Sequence, residues 1–310
     1  MFAGPGAELR GTIERNLIRN VPVGVALTEA PGASGEGLVD VLIAGCLIAG
    51  EKDLAQDSPR RGLLHAIQLA LESEWRTSIR VIQSTLAYGA GHAVADTRLH
   101  GALENVGRHS VEVIGCVLWG FEQEDFGAEA GGLPLPEYYR RVESSILGRS
   151  ERVGSAGNVA VDPRLEEGTL QLGAESPAID QMSFDQLPIV SPLDINGRCR
   201  IAVGRSGLPR SDLGAEEFPG PCAEIFVRGD CDANRELELT DGIAVFSYLF
   251  LGGAARCLDA CDADDTGDIN ITDGIYVVTY LFTGGPEPKS PFASAGMDAT
   301  PDALGDCTRG

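Results

Sequence analysis

The sequence predicts a mainly β protein: a parallel β-solenoid over the first two thirds, then a small α-helical module carrying two acidic loops. Three observations support this. A short apolar motif returns at intervals suited to one coil of a solenoid, and residues 230–253 are duplicated at 262–285. Composition agrees, because Gly supplies 40 of 310 residues and aromatics only 6%. That balance suits a turn-rich repetitive scaffold better than a compact enzyme with an aromatic core.

The recurring motif runs TIERNLIRN (12–20), VLIAGCLIAG (41–50), IRVIQSTLAYG (79–89), VEVIGCVLWG (111–120) and VESSILG (142–148). Each alternates apolar and polar residues about a small or polar centre: Asn16, Cys46, Ser84, Cys116 and Ser145. The centres are 30, 38, 32 and 29 residues apart. Strand-like VGVAL (23–27) follows the first and HAVAD (92–96) the third. Sandwich strands recur at about 8–12 residues, whereas periods of roughly 20–50 indicate stacked coils. The five centres are expected to stack in an interior ladder, with Cys46 and Cys116 as buried thiols. RGLLHAIQLALESEW (61–75), part of an insertion over 51–78, also has helical spacing at Leu63, Ile67, Ala70 and Leu71. A strand with its turn, or a short helix bulging from the coil, is expected there.

GNVAVDPRL (157–165), LQLGAESPAIDQ (170–181), DINGRCRIAVGR (194–205) and DLGAEEF (212–218) then follow in order. This succession resembles the closing coil of right-handed parallel β-helix proteins of the secreted, polysaccharide-associated kind, the pectate-lyase-like solenoids. The resemblance implies a right-handed parallel β-helix over residues 1–218, closed by residues 157–218. The first recognisable coil begins near Thr12 without a cap, and MFAGPGAELRG lacks the basic and apolar regions of a signal peptide. The solenoid is therefore expected to be incomplete at its N-terminus.

A linker at 219–224 leads to a module at 225–310, which holds the duplication and a C-terminal tail. Asp230 faces Asp262, Asp232 faces Asp264 and Asp241 faces Asp273, and twelve of the 24 aligned positions are identical. A hard cation such as calcium takes about six to eight oxygens, which a loop of about twelve residues supplies from positions 1, 3, 5, 7, 9 and 12. In the first loop these are Asp230, Asp232, Asn234, Glu236 (through its carbonyl), Glu238 and Asp241. In the second they are Asp262, Asp264, Thr266, Asp268 (through its carbonyl), Asn270 and Asp273. Carboxylates this close repel one another without compensating charge. Leu237 and Ile269 fill position 8, and each loop runs into an amphipathic helix, with Ile243, Val245, Leu249 and Phe250 in the first. Gly252-Gly253 and Gly284-Gly285 stop the helices.

These paired loop–helix units resemble the dockerin type I family, over roughly residues 225–287. The resemblance implies two bound Ca2+ ions and docking, through the helix faces, onto a cohesin-like protein module or a cell-surface protein. Asp at position 12 fits dockerins better than ordinary EF-hands. Arg235 departs from the Gly usual at position 6, and Gly242 and Gly274 replace the usual apolar residue after the last ligand. The Arg-Gly-Asp triplet at 228–230 is read as an accident of Asp230 being the first ligand.

Net charge is −22, with 46 acidic against 24 basic residues. A nucleic-acid partner is excluded on this balance, since nothing would neutralise phosphates. No run of eighteen apolar residues occurs, so no membrane span is expected. Six of the eight cysteines lie from Cys199 onward, which points to disulfides and an extracellular or cell-surface location. At least two bridges are expected among them. Connectivity stays open; a Cys199–Cys222 clip from the solenoid's end to the linker is one candidate.

For catalysis the candidates are Asp96, Arg98 and His100, which alternate as on one face of a strand. Glu122, Glu124 and Asp125 form a second acidic group. The four histidines are scattered, and no zinc-spaced cysteine pairs, phosphate loop or nucleophile elbow occurs. Two functions follow. One is an extracellular calcium-binding anchoring module on a β-helix scaffold, with polysaccharide as a candidate ligand. The alternative is a glycoside hydrolase or polysaccharide lyase, acting in polysaccharide catabolism and carrying a dockerin. Scarce aromatics in the solenoid (chiefly Trp75, Tyr88, Trp119, Tyr138 and Tyr139) favour the first.

Overall fold

The structure is a computed structural model. It describes residues 2–3, 8–29, 37–50, 63, 65–70, 76–96, 109–123, 125–128, 139–150, 153–183, 191–298, 300, 302–304 and 307. The chain forms two compact units, Met1–Arg200 with Arg210–Gly220, and Ile201–Pro209 with Pro221–Gly310. No helix among the described residues is long and apolar enough to cross a membrane.

The first unit is built of short parallel strands. In chain order they are β1 (Phe2–Ala3), β2 (Glu8–Glu14), β3 (Leu17–Arg19), β4 (Val23–Glu29), β5 (Leu38–Ala44), β6 (Leu47–Ala49), β7 (His65–Ala70) and β8 (Arg76–Ile82). They continue as β9 (Thr85–Ala87), β10 (Val94–Asp96), β11 (His109–Ile114), β12 (Val117–Trp119), β13 (Phe126–Ala128), β14 (Tyr139–Glu143) and β15 (Ile146–Leu147). Every third strand joins the same sheet, giving three five-stranded sheets ordered β1-β4-β7-β10-β13, β2-β5-β8-β11-β14 and β3-β6-β9-β12-β15. Parallel neighbours cannot be joined by a tight hairpin. Here the chain visits the other two sheets before returning to pair with its own predecessor.

Register aligns like with like. Ile13, Ile43, Val81, Val113 and Val142 pair across one sheet. Ile18, Ile48, Leu86, Leu118 and Leu147 do so in the second, and Val25, Ile67, Val94 and Phe126 in the third. These three apolar columns belong to one continuous core. β-Branched and leucyl side chains suit it because strands buried on the inner face need packing at every step.

Beside them runs the polar ladder. The backbone N–H groups of Cys46, Ser84, Cys116 and Ser145 donate in turn to the side chains of Ser84, Cys116, Ser145 and Asn158, at 3.1–3.5 Å. The Ser84 and Ser145 hydroxyls donate onward to the carbonyls of Ile82 and Glu143, and Cys46 and Cys116 are free, buried thiols. Asn16 is its open end, with its backbone N–H bonded to the Cys46 thiol. It is exposed, because β3 is the edge strand of its sheet, and its side-chain amide turns back to the Glu14 carbonyl. Of the 61–75 segment, His65–Ala70 is strand, and residues 71–75 lie outside the described residues.

The closing segment is mostly turns held by side chains, apart from β16 (Met182–Ser183), β17 (Ala202–Val203) and β18 (Pro209–Ser211), of which β16 and β18 pair antiparallel. Its acidic motif is inward-facing. Arg200 Nη1 and Glu217 Oε1 meet in the interior at 3.1 Å. Glu217 also accepts from Ser211 Oγ and the Asp212 N–H, while Asp212 accepts from the Asp180 and Phe218 N–H groups. The Ala215 N–H reaches Thr85 Oγ1 at 2.9 Å, which seats the segment on the strands.

The second unit holds α1 (Leu239–Leu251), α2 (Leu258–Cys261) and α3 (Ile271–Thr283). α1 and α3 end at Gly252 and Gly284, both with left-handed backbone. Val245 and Val277 are fully buried. The expected apolar face of α1 is only half inward, since Ile243 and Phe250 are 55% and 66% exposed. Gly242 and Gly274 explain the departure noted in the sequence. A Cβ on Gly242 would lie 3.1 Å from Val278 Cγ2, and one on Gly274 would lie 2.4 Å from the Phe246 ring. The two helices meet too closely there for a larger residue. Cys231–Cys261 and Cys257–Cys307 are disulfides, and Cys199 and Cys222 are disulfide-bonded as well.

Candidate metal centre

Each acidic loop is closed by its own carboxylates. In the first, Asp230 accepts the Asn234 and Arg235 N–H groups at 3.0 Å each. Asp241 accepts those of Asp232 and Glu238 at 3.2 and 2.8 Å. The second repeats the pattern: Asp262 accepts from Thr266 and Gly267, and Asp273 from Asp264 and Asn270. Positions 1 and 12 are thereby pulled together in both. The turns need left-handed backbone at position 6, with φ 73° at Arg235 and 81° at Gly267.

Carboxylate oxygens of Asp230, Asp232 and Asp241 lie within 4.8 Å of one another, and those of Asp262, Asp264 and Asp273 do the same. The remaining predicted positions lie on the open side. Asn234 donates to Asp232 and Glu238, while Glu238 and Asn270 are the N-cap residues of α1 and α3. The Asp268 carbonyl accepts from Thr266 Oγ1 and Asn270 Nδ2, and Glu236 is exposed with its N–H on Asn234 Oδ1.

Burial dominates the electrostatics. It pushes the Asp241 carboxyl up to about 6, with the neighbouring Asp232 and Asp230 charges adding to the shift. Asp273 rises to about 7 for the same reasons, from burial and then from Asp264 and Asp262. Burial likewise raises Asp230 and Asp262. In the second loop Asp264 Oδ1 is buried without a hydrogen-bond partner. Partly buried carboxylate oxygens clustered in this way, beyond the N–H groups that close the loops, are the donor type that a hard cation takes.

No family model, curated protein or solved structure matches this chain.

The catalytic candidates do not assemble among the described residues. Asp96 ends β10, paired with Ala128 and Leu69; Arg98 and His100 lie outside the described residues. In the second acidic group Glu122 is exposed and Asp125 is buried, accepting the Arg149 N–H at 2.8 Å. Glu124 lies outside the described residues. His65 and His92, scattered in sequence, stack with ring centroids 5.8 Å apart. The His92 ring fills the space where a Cβ on Gly127 would stand.

Arg228 is the residue whose role the sequence conceals. It is fully buried, so the triplet cannot be displayed for adhesion. Its Nε donates to the Ser290 carbonyl, Nη1 to the Asp259 and Asp262 carbonyls, and Nη2 to Asp298 Oδ1.

Proposed function

We propose that the second unit is a dockerin-like module that binds two calcium ions and docks a partner protein through its helices. The observation that carries this reading is the pair of three-carboxylate clusters, related by the same 32-residue offset as the sequence repeat, 262 − 230. Calcium is the fitting ion because the donors are all oxygen and each loop offers enough of them for high coordination. The exposed apolar residues support docking, since they also come in offset pairs: Leu239 with Ile271, Ile243 with Ile275, and Phe250 with Phe282. A duplicated apolar surface of this kind suits a cohesin-like protein module or a cell-surface protein.

The first unit serves in this reading as a right-handed parallel β-helix scaffold associated with polysaccharides. The rotation of strands through three parallel sheets supports it. The disulfides of the second unit fit an extracellular or cell-surface setting.

Calorimetry of the full chain tests the reading. Chelator should lower the unfolding temperature of the second unit, because ligand binding adds directly to folding free energy. Asp241→Ala and Asp273→Ala should each abolish one equivalent of calcium. No heat of calcium binding, with unfolding indifferent to chelator, would sink the proposal.

A further inference from the structure

The tail of the second unit meets α2 at a third group of carboxylates, outside both loops. Oxygens of Asp259, Asp298 and Asp302 lie within 4.8 Å of one another. The Cys257–Cys307 disulfide builds this junction. It joins the N-cap residue of α2 to the tail five residues beyond Asp302, while Asp259 lies in α2 itself.

Asp259 is 4% exposed, and its Oδ1 is buried with no hydrogen-bond partner. Its Oδ2 lies 3.8 Å from Cys307 Sγ, but a disulfide sulfur has no proton to donate. The nearby guanidinium is already committed. All three nitrogens of Arg228 are engaged, with Nη2 shared between Asp298 at 2.7 Å and Asp265 at 2.9 Å. One positive charge cannot balance Asp259, Asp265, Asp298 and Asp302. Leaving a carboxylate buried with neither donor nor counter-charge is costly.

We propose that Asp259, Asp298 and Asp302 form a third divalent-cation site, taken by calcium, that pins the C-terminal tail onto α2. The donors are hard oxygens only, which selects calcium or magnesium over thiophilic metals. Asp302 is exposed and Asp298 half-buried, so the ion has a path of entry and room for waters in its remaining positions. Asp302 also comes within 4.8 Å of Asp262 and Asp265, so the site borders the second loop, while Asp259 and Asp298 belong to it alone.

Native mass spectrometry of the full chain, stripped with chelator and titrated with calcium chloride, counts the ions. The unmodified chain should hold three. Asp302→Asn and Asp259→Asn should each hold two; Asp302 is exposed, so its variant folds even if the buried one does not. Asp241→Asn and Asp273→Asn should each lose a different ion. Equal counts for the unmodified chain and Asp302→Asn would overturn the third site while leaving the loops intact. Loss of one ion in Asp302→Asn but none in Asp241→Asn or Asp273→Asn would instead overturn the loop reading alone.

Discussion

Cys231 is bonded to Cys261, which ties position 2 of the first acidic loop to the residue just before position 1 of the second. The bridge closes a 30-residue segment, worth about 3–4 kcal/mol in the chain-entropy account. Cys231→Ala/Cys261→Ala should therefore lower the unfolding temperature of the second unit. It should also weaken calcium binding at both loops together, since each has one end released. Titration showing one loop unaffected would mean that the bridge stabilises without aligning the sites.

The first loop should bind calcium more weakly than the second, and Arg235→Gly should narrow the difference. Both position-6 residues have positive φ, where a side chain costs about 1–2 kcal/mol and Gly does not. The substitution should raise first-loop affinity by roughly tenfold, measured in an Asp273→Ala background. Glu238 opposes this, because position 9 of the second loop is the neutral Asn270. An unchanged affinity would show that charge, not backbone, sets the order.

Gly274→Ala should cost about 1–3 kcal/mol, the usual range for overpacking. The added methyl would meet the Phe246 ring at 2.4 Å. Shortening that neighbour with Phe246→Leu should recover most of the loss. Thermal unfolding of the single and double variants reads the coupling directly; additive losses would mean that the helices part instead of clashing.

Stability of the first unit should fall as pH rises toward 8. Burial pushes Glu217 up to about 8, with the Asp212 charge adding, and burial pushes Asp212 up to about 6. Acids with folded pKa values above their unfolded ones bind more protons when folded, so the contribution is fully present below about pH 4 and is lost through pH 6 to 8. Both tryptophans, Trp75 and Trp119, belong to this unit, so urea midpoints by tryptophan fluorescence at pH 5 and 8 report it. Glu217→Gln should flatten the dependence; an unchanged slope would place the titration elsewhere.

The sequence was legible where a contact repeats with the chain's own period. Cys46, Ser84, Cys116 and Ser145 were read as inward-facing from their spacing, and parallel register stacks them as read. Asn16 carries the same local pattern, but its edge position depends on what pairs beside it, which no window of sequence contains. Asn158 was missed because it follows Ser145 by only 13 residues. The loop residues were legible for the same reason as the ladder, since spacing alone brings their carboxylates together. Arg228 was not, because its partners Ser290 and Asp298 lie 62 and 70 residues away. The Asp259 group was hidden likewise, its members brought together by Arg228 and the Cys257–Cys307 bridge.

The polar ladder also dictates how this protein can change length. Every rung passes its N–H to the next and takes a proton acceptor from its own strand end, so the column has a direction and a fixed step. A duplicated circuit carrying Ser or Cys at its centre would slot between Ser84 and Cys116 and restore every bond. A partial insertion within a strand would shift all later rungs out of phase with the apolar columns. Growth and shrinkage are confined to whole circuits, with odd lengths diverted into the connections between strands. Asn158 is the stop: its amide accepts the Ser145 N–H with oxygen and donates to the Val142 carbonyl with nitrogen. Any added circuit has to enter ahead of it.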